Sequence, residues 1–156
     1  MKIIYYSHSD LTTNQANNTH VLKMCSALIK LGHSVELYVW KNKKKSNDDN
    51  YMQILNKFEI KNNLKVCHYP QVSPIANSFI SSYYLSFKIK FKKIDFIISR
   101  NLRFAYFACN NGIPTFYETH KPINLYNFVD RYLFKKMTKM KKFYSLITIS
   151  SYLIND

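Results

Sequence analysis

Short β-branched and aromatic runs that alternate with stretches of helical apolar period predict an α/β fold. The expected architecture is an open parallel sheet of about six strands with helices on both faces. Two observations support one domain over residues 1–156. The length suits a single unit of the usual ~100–200 residues, and 47% apolar residues can fill a sizeable core.

Lys2 to Ser7 reads as a buried first strand, opening into a polar loop from Ser7 to Asn14. Val21, Met24, Cys25, Leu28 and Ile29 then keep one apolar face of a helix, with Asn18 or Thr19 as cap and Gly32 at its end. Ser34 to Trp40 is a second strand, which completes a βαβ unit. Lys41 to Asn50 is a charged loop, Tyr51 to Phe58 a short helix, and Leu64 to Tyr69 a third strand; Pro70 and Pro74 bracket the next connection. Ile75 to Phe91 fits helix through Phe79, Ile80, Tyr83, Tyr84 and Phe87, although its last five residues also alternate like a strand; the strand Ile94 to Ser99 directly after it favours helix. Asn101 to Cys109 is a helix ended by Asn111-Gly112, and Pro114 to Glu118 a strand. Leu125, Phe128, Val129, Tyr132, Leu133, Met137 and Met140 predict one long amphipathic helix, followed by a strand over Tyr144 to Ser150. Ser151 onward reads as the first turn of a further helix, so more chain is expected beyond Asp156. The alternation makes the domain Rossmann-like, and in such sheets ligands bind beyond the carboxyl ends of the strands.

Composition narrows the function classes. Twenty Lys and 3 Arg oppose 9 acidic residues, a net +14, and 16 Asn accompany them, a bias that A+T-rich codon usage also produces. Base-edge readers lean on Arg, whereas lysine suits a diffuse anionic partner such as a phospholipid leaflet, so nucleic acid is disfavoured. Cys25, Cys67 and Cys109 are odd in number and widely spaced, which argues against a disulfide framework or a metal site and for a cytoplasmic location. Ile3 to Tyr6 is too short for a signal-peptide core or a membrane span. The loop after the first strand has no glycine, so neither a dinucleotide fingerprint nor a P-loop is present.

The candidate chemistry lies at predicted strand ends. Glu118 and His120 stand two apart on one face of an extended chain, and a histidine titrates near neutrality. His120 is the candidate to bond a sugar hydroxyl or phosphate, balanced by Glu118; a loop histidine beside a capping glutamate is the structural alternative. Arg100, Asn101 and Arg103 close the fourth strand, where arginine and helix amides suit an anionic ligand and where simple capping is equally natural. Ser9, Asp10 and Thr12 occupy the first strand-end loop. Arg131, Lys135, Lys136, Lys139 and Lys142 form a basic helix face suited to an anionic membrane surface or to plain solvation, and Lys88, Lys90, Lys92 and Lys93 would extend it if the two helices are neighbours.

Four segments in order resemble the N-terminal domain of the family 4 glycosyltransferases. They are Lys2 to Ser7 with Thr19 to Leu28 and the Leu31-Gly32-His33-Ser34-Val35 turn, then Ile94 to Asn101, Pro114 to His120 and Leu146 to Leu153. The resemblance implies one half of a GT-B architecture: the acceptor side of a retaining sugar transfer from a nucleotide-sugar, without metal or other cofactor, in polysaccharide or glycolipid synthesis. It makes His120 the cleft histidine, with Glu118, Arg100 and the first strand-end loop as neighbours. It further implies a sugar or lipid acceptor, a donor-binding C-terminal half that is absent from these residues and would lie on another chain or a longer one, and peripheral attachment to the inner membrane face. The chain alone is then expected to be inactive, because the diphosphate clamp belongs to that second half. One departure is plain: the family's Gly pair after the first strand is missing. The alternatives are a non-catalytic basic module for membrane surface or nucleic acid, and a small stand-alone Rossmann-like enzyme with its site at Glu118 and His120.

Overall fold

The computed structural model describes residues 1–11, 16–40, 55–58, 60, 64–69 and 76–148. Their strands are β1 (Lys2–Asp10), β2 (Ser34–Trp40), β3 (Leu64–Tyr69), β4 (Phe96–Ser99), β5 (Thr115–Thr119) and β6 (Phe143–Thr148). The helices are α1 (Ala16–Lys30), α2 (Ala76–Lys90), α3 (Leu102–Asn110) and α4 (Phe128–Met137). The six strands form one sheet in the order β3-β2-β1-β4-β5-β6. The β1–β2, β2–β3, β4–β5 and β5–β6 ladders are parallel, and helices flank the strands, so the α/β, Rossmann-like expectation holds. Met1–Val72 and Ser73–Asp156 are two compact units.

In the first unit β1 is buried from Ile3 to Ser7, as a strand covered on both faces must be. Val21, Leu22 and Cys25 of α1 and Val35, Leu37 and Val39 of β2 are among the other buried apolar residues of this unit. In the second unit the core joins Leu102, Ala105, Tyr106 and Cys109 of α3 to Tyr117 of β5 and to Leu133 and Met137 of α4.

The chain's 2 glycines are both spent on helix ends. Gly32 and Gly112 adopt φ 82° and 81° after α1 and α3. The following residues bond back, His33 N–H to the Leu28 carbonyl at 3.1 Å and Ile113 N–H to the Ala108 carbonyl at 3.0 Å. Both are left-handed caps that turn a helix into the next strand.

Four expectations need correction. The first strand does not stop at Ser7: Ser7 to Asp10 continue β1, with Asp10 paired to Trp40 after a register shift, so Ser9 and Asp10 are strand residues and not loop residues. Polar side chains do not end a strand while its backbone still finds ladder partners. Asn18 is no cap, because α1 begins at Ala16 and Asn18 is buried inside it. The long helix from Leu125 to Met140 is two pieces, a 3-10 turn over Ile123–Leu125 and then α4, because the Asn127 side chain accepts from the Asp130 amide at 2.8 Å and starts the helix there. Its basic face is broken accordingly: Arg131, Lys135 and Lys136 lie on α4, whereas Lys139 and Lys142 lie in the turns that follow it. The strand expected from Ile94 begins only at Phe96. The Lys41 to Asn50 loop, Thr12, Pro70, Pro74, Ser150 and the turn from Ser151 fall outside the described residues, as does the first half of the Tyr51 to Phe58 helix, of which residues 55–57 are helical.

Candidate functional site at the ends of β4 and β5

Parallel pairing sets Ser99 beside Tyr117, so the residues that follow β4 and β5 emerge together at the carboxyl edge of the second unit. They line a cleft of about 270 Å³ with Arg100, Asn101, Leu102, Arg103, Tyr117, His120, Lys121, Tyr126 and Asp130. This is slightly below the ~300–1,000 Å³ usual for ligand pockets and suits one sugar ring or phosphate-sized group.

Two ion pairs frame it. Arg100 Nε lies 3.0 Å from Glu118 Oε1, with side chains 6% and 0% exposed. Such a pair tolerates burial only as a pair, so Glu118 holds the Arg100 guanidinium in place from beneath. Glu118 itself is not among the residues that line the cleft. Arg103 donates to both carboxylate oxygens of Asp130, Nε to Oδ1 at 2.9 Å and Nη2 to Oδ2 at 3.4 Å. Its guanidinium carbon also lies 4.2 Å from the Phe79 ring centre. Asn127 Nδ2 donates to the same Asp130 oxygen Oδ2 at 2.7 Å, so this carboxylate is fixed from two sides.

Asn101 has a structural duty. Its side chain accepts from the Phe104 amide at 3.0 Å and caps α3, while Ser99 Oγ accepts from the Asn101 amide at 3.1 Å and tightens the turn. The capped helix start brings the amino end of α3, positive by its dipole, to the cleft.

His120 and Lys121 come from the bend after β5. Thr119 Oγ1 donates to the Lys121 carbonyl at 2.8 Å and shapes that bend. Tyr126 anchors it: its hydroxyl bonds Tyr117 OH at 2.5 Å and Thr119 Oγ1 at 2.9 Å, and Lys121 Nζ lies 4.2 Å over its ring. Desolvation, then the Arg100 and Lys121 cations, push the His120 pKa below its usual value against a smaller opposing pull from Glu118. His120 is exposed and neutral at pH 7, a ring that can both donate and accept a hydrogen bond. A neutral imidazole among three cations and two carboxylates suits a hydroxyl-rich ligand that carries an anionic group.

Among the expected site residues, the cleft gathers Arg100, Asn101 and His120, with Glu118 behind them. Ser9 and Asp10 belong to β1 in the first unit, and Thr12 lies outside the described residues. Arg131, Lys135, Lys136, Lys139 and Lys142 are exposed and do not line the cleft. Three contributors were not among the expected site residues: Lys121, which directly follows His120, Asp130 and Tyr126. Asp130 was legible, since Asn127-Phe128-Val129-Asp130 has the spacing of a cap with an acid at the third helical position. Tyr126 had no signal, because its role depends on the fold of the 3-10 turn.

A second polar cluster joins β1 and β3 in the first unit. His8 Nδ1 and the Tyr69 hydroxyl are 3.1 Å apart, and Tyr69 stacks on Tyr6 with ring centres 5.2 Å apart. Burial lowers the His8 pKa and keeps Tyr69 protonated. Among the described residues no group of three His, Cys, Asp or Glu could hold a metal. Cys109 is buried with its thiol pushed up to about 11, which makes it a poor nucleophile at neutral pH.

No protein-family model and no curated protein matches the chain.

Proposed function

We propose that this chain is the acceptor-side half of a retaining, nucleotide-sugar-dependent glycosyltransferase that builds polysaccharide or glycolipid. The observation that carries the reading is that Arg100 and His120, from the ends of neighbouring parallel strands, line one cleft sized for a single sugar or phosphate group. The neutral His120 ring bonds an acceptor hydroxyl. Arg100, held by Glu118, and Lys121 bind a phosphate or carboxylate on the same ligand. Neither group needs to act as a nucleophile: the leaving diphosphate is stabilised by a donor-binding half, on the same or another polypeptide, which supplies most of the electrostatic acceleration.

The test is transfer of labelled sugar from nucleotide donors by the chain together with its donor-binding half. His120→Ala should lower turnover by about 100-fold or more, the scale of a lost hydrogen-bonding imidazole at a reacting hydroxyl, with the thermal unfolding curve unchanged. An unaltered rate would make His120 a scaffold residue, and ordinary turnover by the 156 residues alone would refute the division of labour.

A further inference from the structure

Helix α2 faces the wrong way for an ordinary surface helix. Its buried positions are Ser82, Ser86 and Ile89, at 1%, 0% and 1% exposure. Its outward stripe is Ile80, Tyr83, Tyr84 and Phe87, continued past the helix end by Phe91, at 65%, 53%, 57%, 45% and 73%. The small inward residues let α2 approach α3 closely: Asn111 Nδ2 donates to Ser86 Oγ at 2.9 Å, and Ser86 Oγ donates to the Tyr83 carbonyl at 2.7 Å. The side chains with most to gain from leaving water are thus the ones left in it.

The charge around this stripe has one sign. Residues 76–93 contain Lys88, Lys90, Lys92 and Lys93 and no Asp or Glu. Lys88, Lys90 and Lys93 are exposed, and Lys88 Nζ sits 4.8 Å over the Tyr84 ring. A convex row of Ile, Phe and Tyr with lysines gathered at one end matches a helix that lies in a lipid headgroup layer, apolar rings sunk and ammonium groups at phosphate level. The chain's net +14 attracts an anionic leaflet and repels a second copy of itself.

We infer that the outer face of α2 docks on an anionic lipid surface through Ile80, Tyr84, Phe87 and Phe91, with Lys88, Lys90 and Lys93 on the headgroups. This does not depend on the sugar-transfer reading. It also moves the main membrane contact from the helix around Arg131 to α2, whose lysines were expected only to extend that patch.

Co-sedimentation with phosphatidylcholine vesicles, with and without phosphatidylglycerol, tests it. The protein should bind the mixed vesicles and bind pure phosphatidylcholine more weakly. Each of Lys88→Gln, Lys90→Gln and Lys93→Gln should lower partitioning on mixed vesicles about fivefold, from ~1 kcal/mol per lysine near the surface. A combined Ile80→Ser, Tyr84→Ser and Phe87→Ser variant should lose binding to both vesicle types with an unchanged melting curve. Should that variant unfold, the lysine series still decides. No binding to anionic vesicles, or binding indifferent to both sets, overturns the assignment. So does a stripe whose loss abolishes only self-association or only retention of a single-stranded oligonucleotide.

Discussion

Arg100 and Glu118 are each other's reason for being buried. Removing Glu118 leaves a guanidinium 6% exposed without its carboxylate. Glu118→Ala is expected to cost roughly 3–5 kcal/mol, a fall in melting temperature on the order of 10 °C, whereas replacing both residues by Met should cost much less. Equal losses in the single and double variants, measured by thermal unfolding, would show that the pair has no mutual dependence. His120 offers a second residue-scale check. Its pKa lies below the usual value partly because Lys121 is close, so Lys121→Gln should raise the His120 midpoint in an NMR titration of the ring protons. A midpoint that stays put would remove Lys121 from the electrostatics of the cleft.

The elements show where local chemistry overrides pattern. The apolar run from Leu125 to Met140 has helical spacing throughout, yet the helix spans only Phe128–Met137 because Asn127 caps it. Asn127→Ala removes the acceptor for the Asp130 amide and the amide that steadies Asp130 against Arg103. The expected cost is about 1 kcal/mol, and urea unfolding that shows no loss would deny the cap its role. The strands and their parallel type were legible because buried parallel strands read as short unbroken apolar runs, as Ile3 to Tyr6 and Ile97-Ile98 do, whereas their order in the sheet was not. The orientation of α2 was not, since Phe79, Ile80, Tyr83, Tyr84 and Phe87 specify a helix equally well whichever side they face. Phe79 packs against the core, whereas Ile80, Tyr83, Tyr84 and Phe87 are exposed, and it is Ser82 and Ser86, whose small size allows the close approach to α3, that take the buried face. At the site, Arg100 and His120 could be named from their places after predicted strands. Tyr126 could not, because nothing in the order of residues brings it back onto Tyr117 and Thr119.

At the scale of the whole molecule, each compact unit carries a histidine with a lowered pKa, His8 within β1 in the first and His120 just after β5 in the second. Both are less basic folded than unfolded, so the unfolded chain takes up more protons just below pH 6.5. Their contribution to stability is complete above that value and is lost as pH falls through the folded pKa values. Urea midpoints should therefore drop between pH 7.5 and 5.5, and the drop should shrink in the His8→Gln and His120→Gln double variant; an undiminished drop would assign it to other groups. In the proposed reading the net charge of +14 favours anionic partners in general, and the cleft selects the anionic group that is bound. The most direct measurement of that central claim is an NMR titration of the chain with hexose phosphates, read at the His120 ring and the Arg100 Nε–H. Saturable shifts at both are expected, with the Arg100 shift weakened by His120→Ala and the His120 shift weakened by Arg100→Gln. Ligand-induced shifts confined to other residues, or none at millimolar ligand, would contradict it.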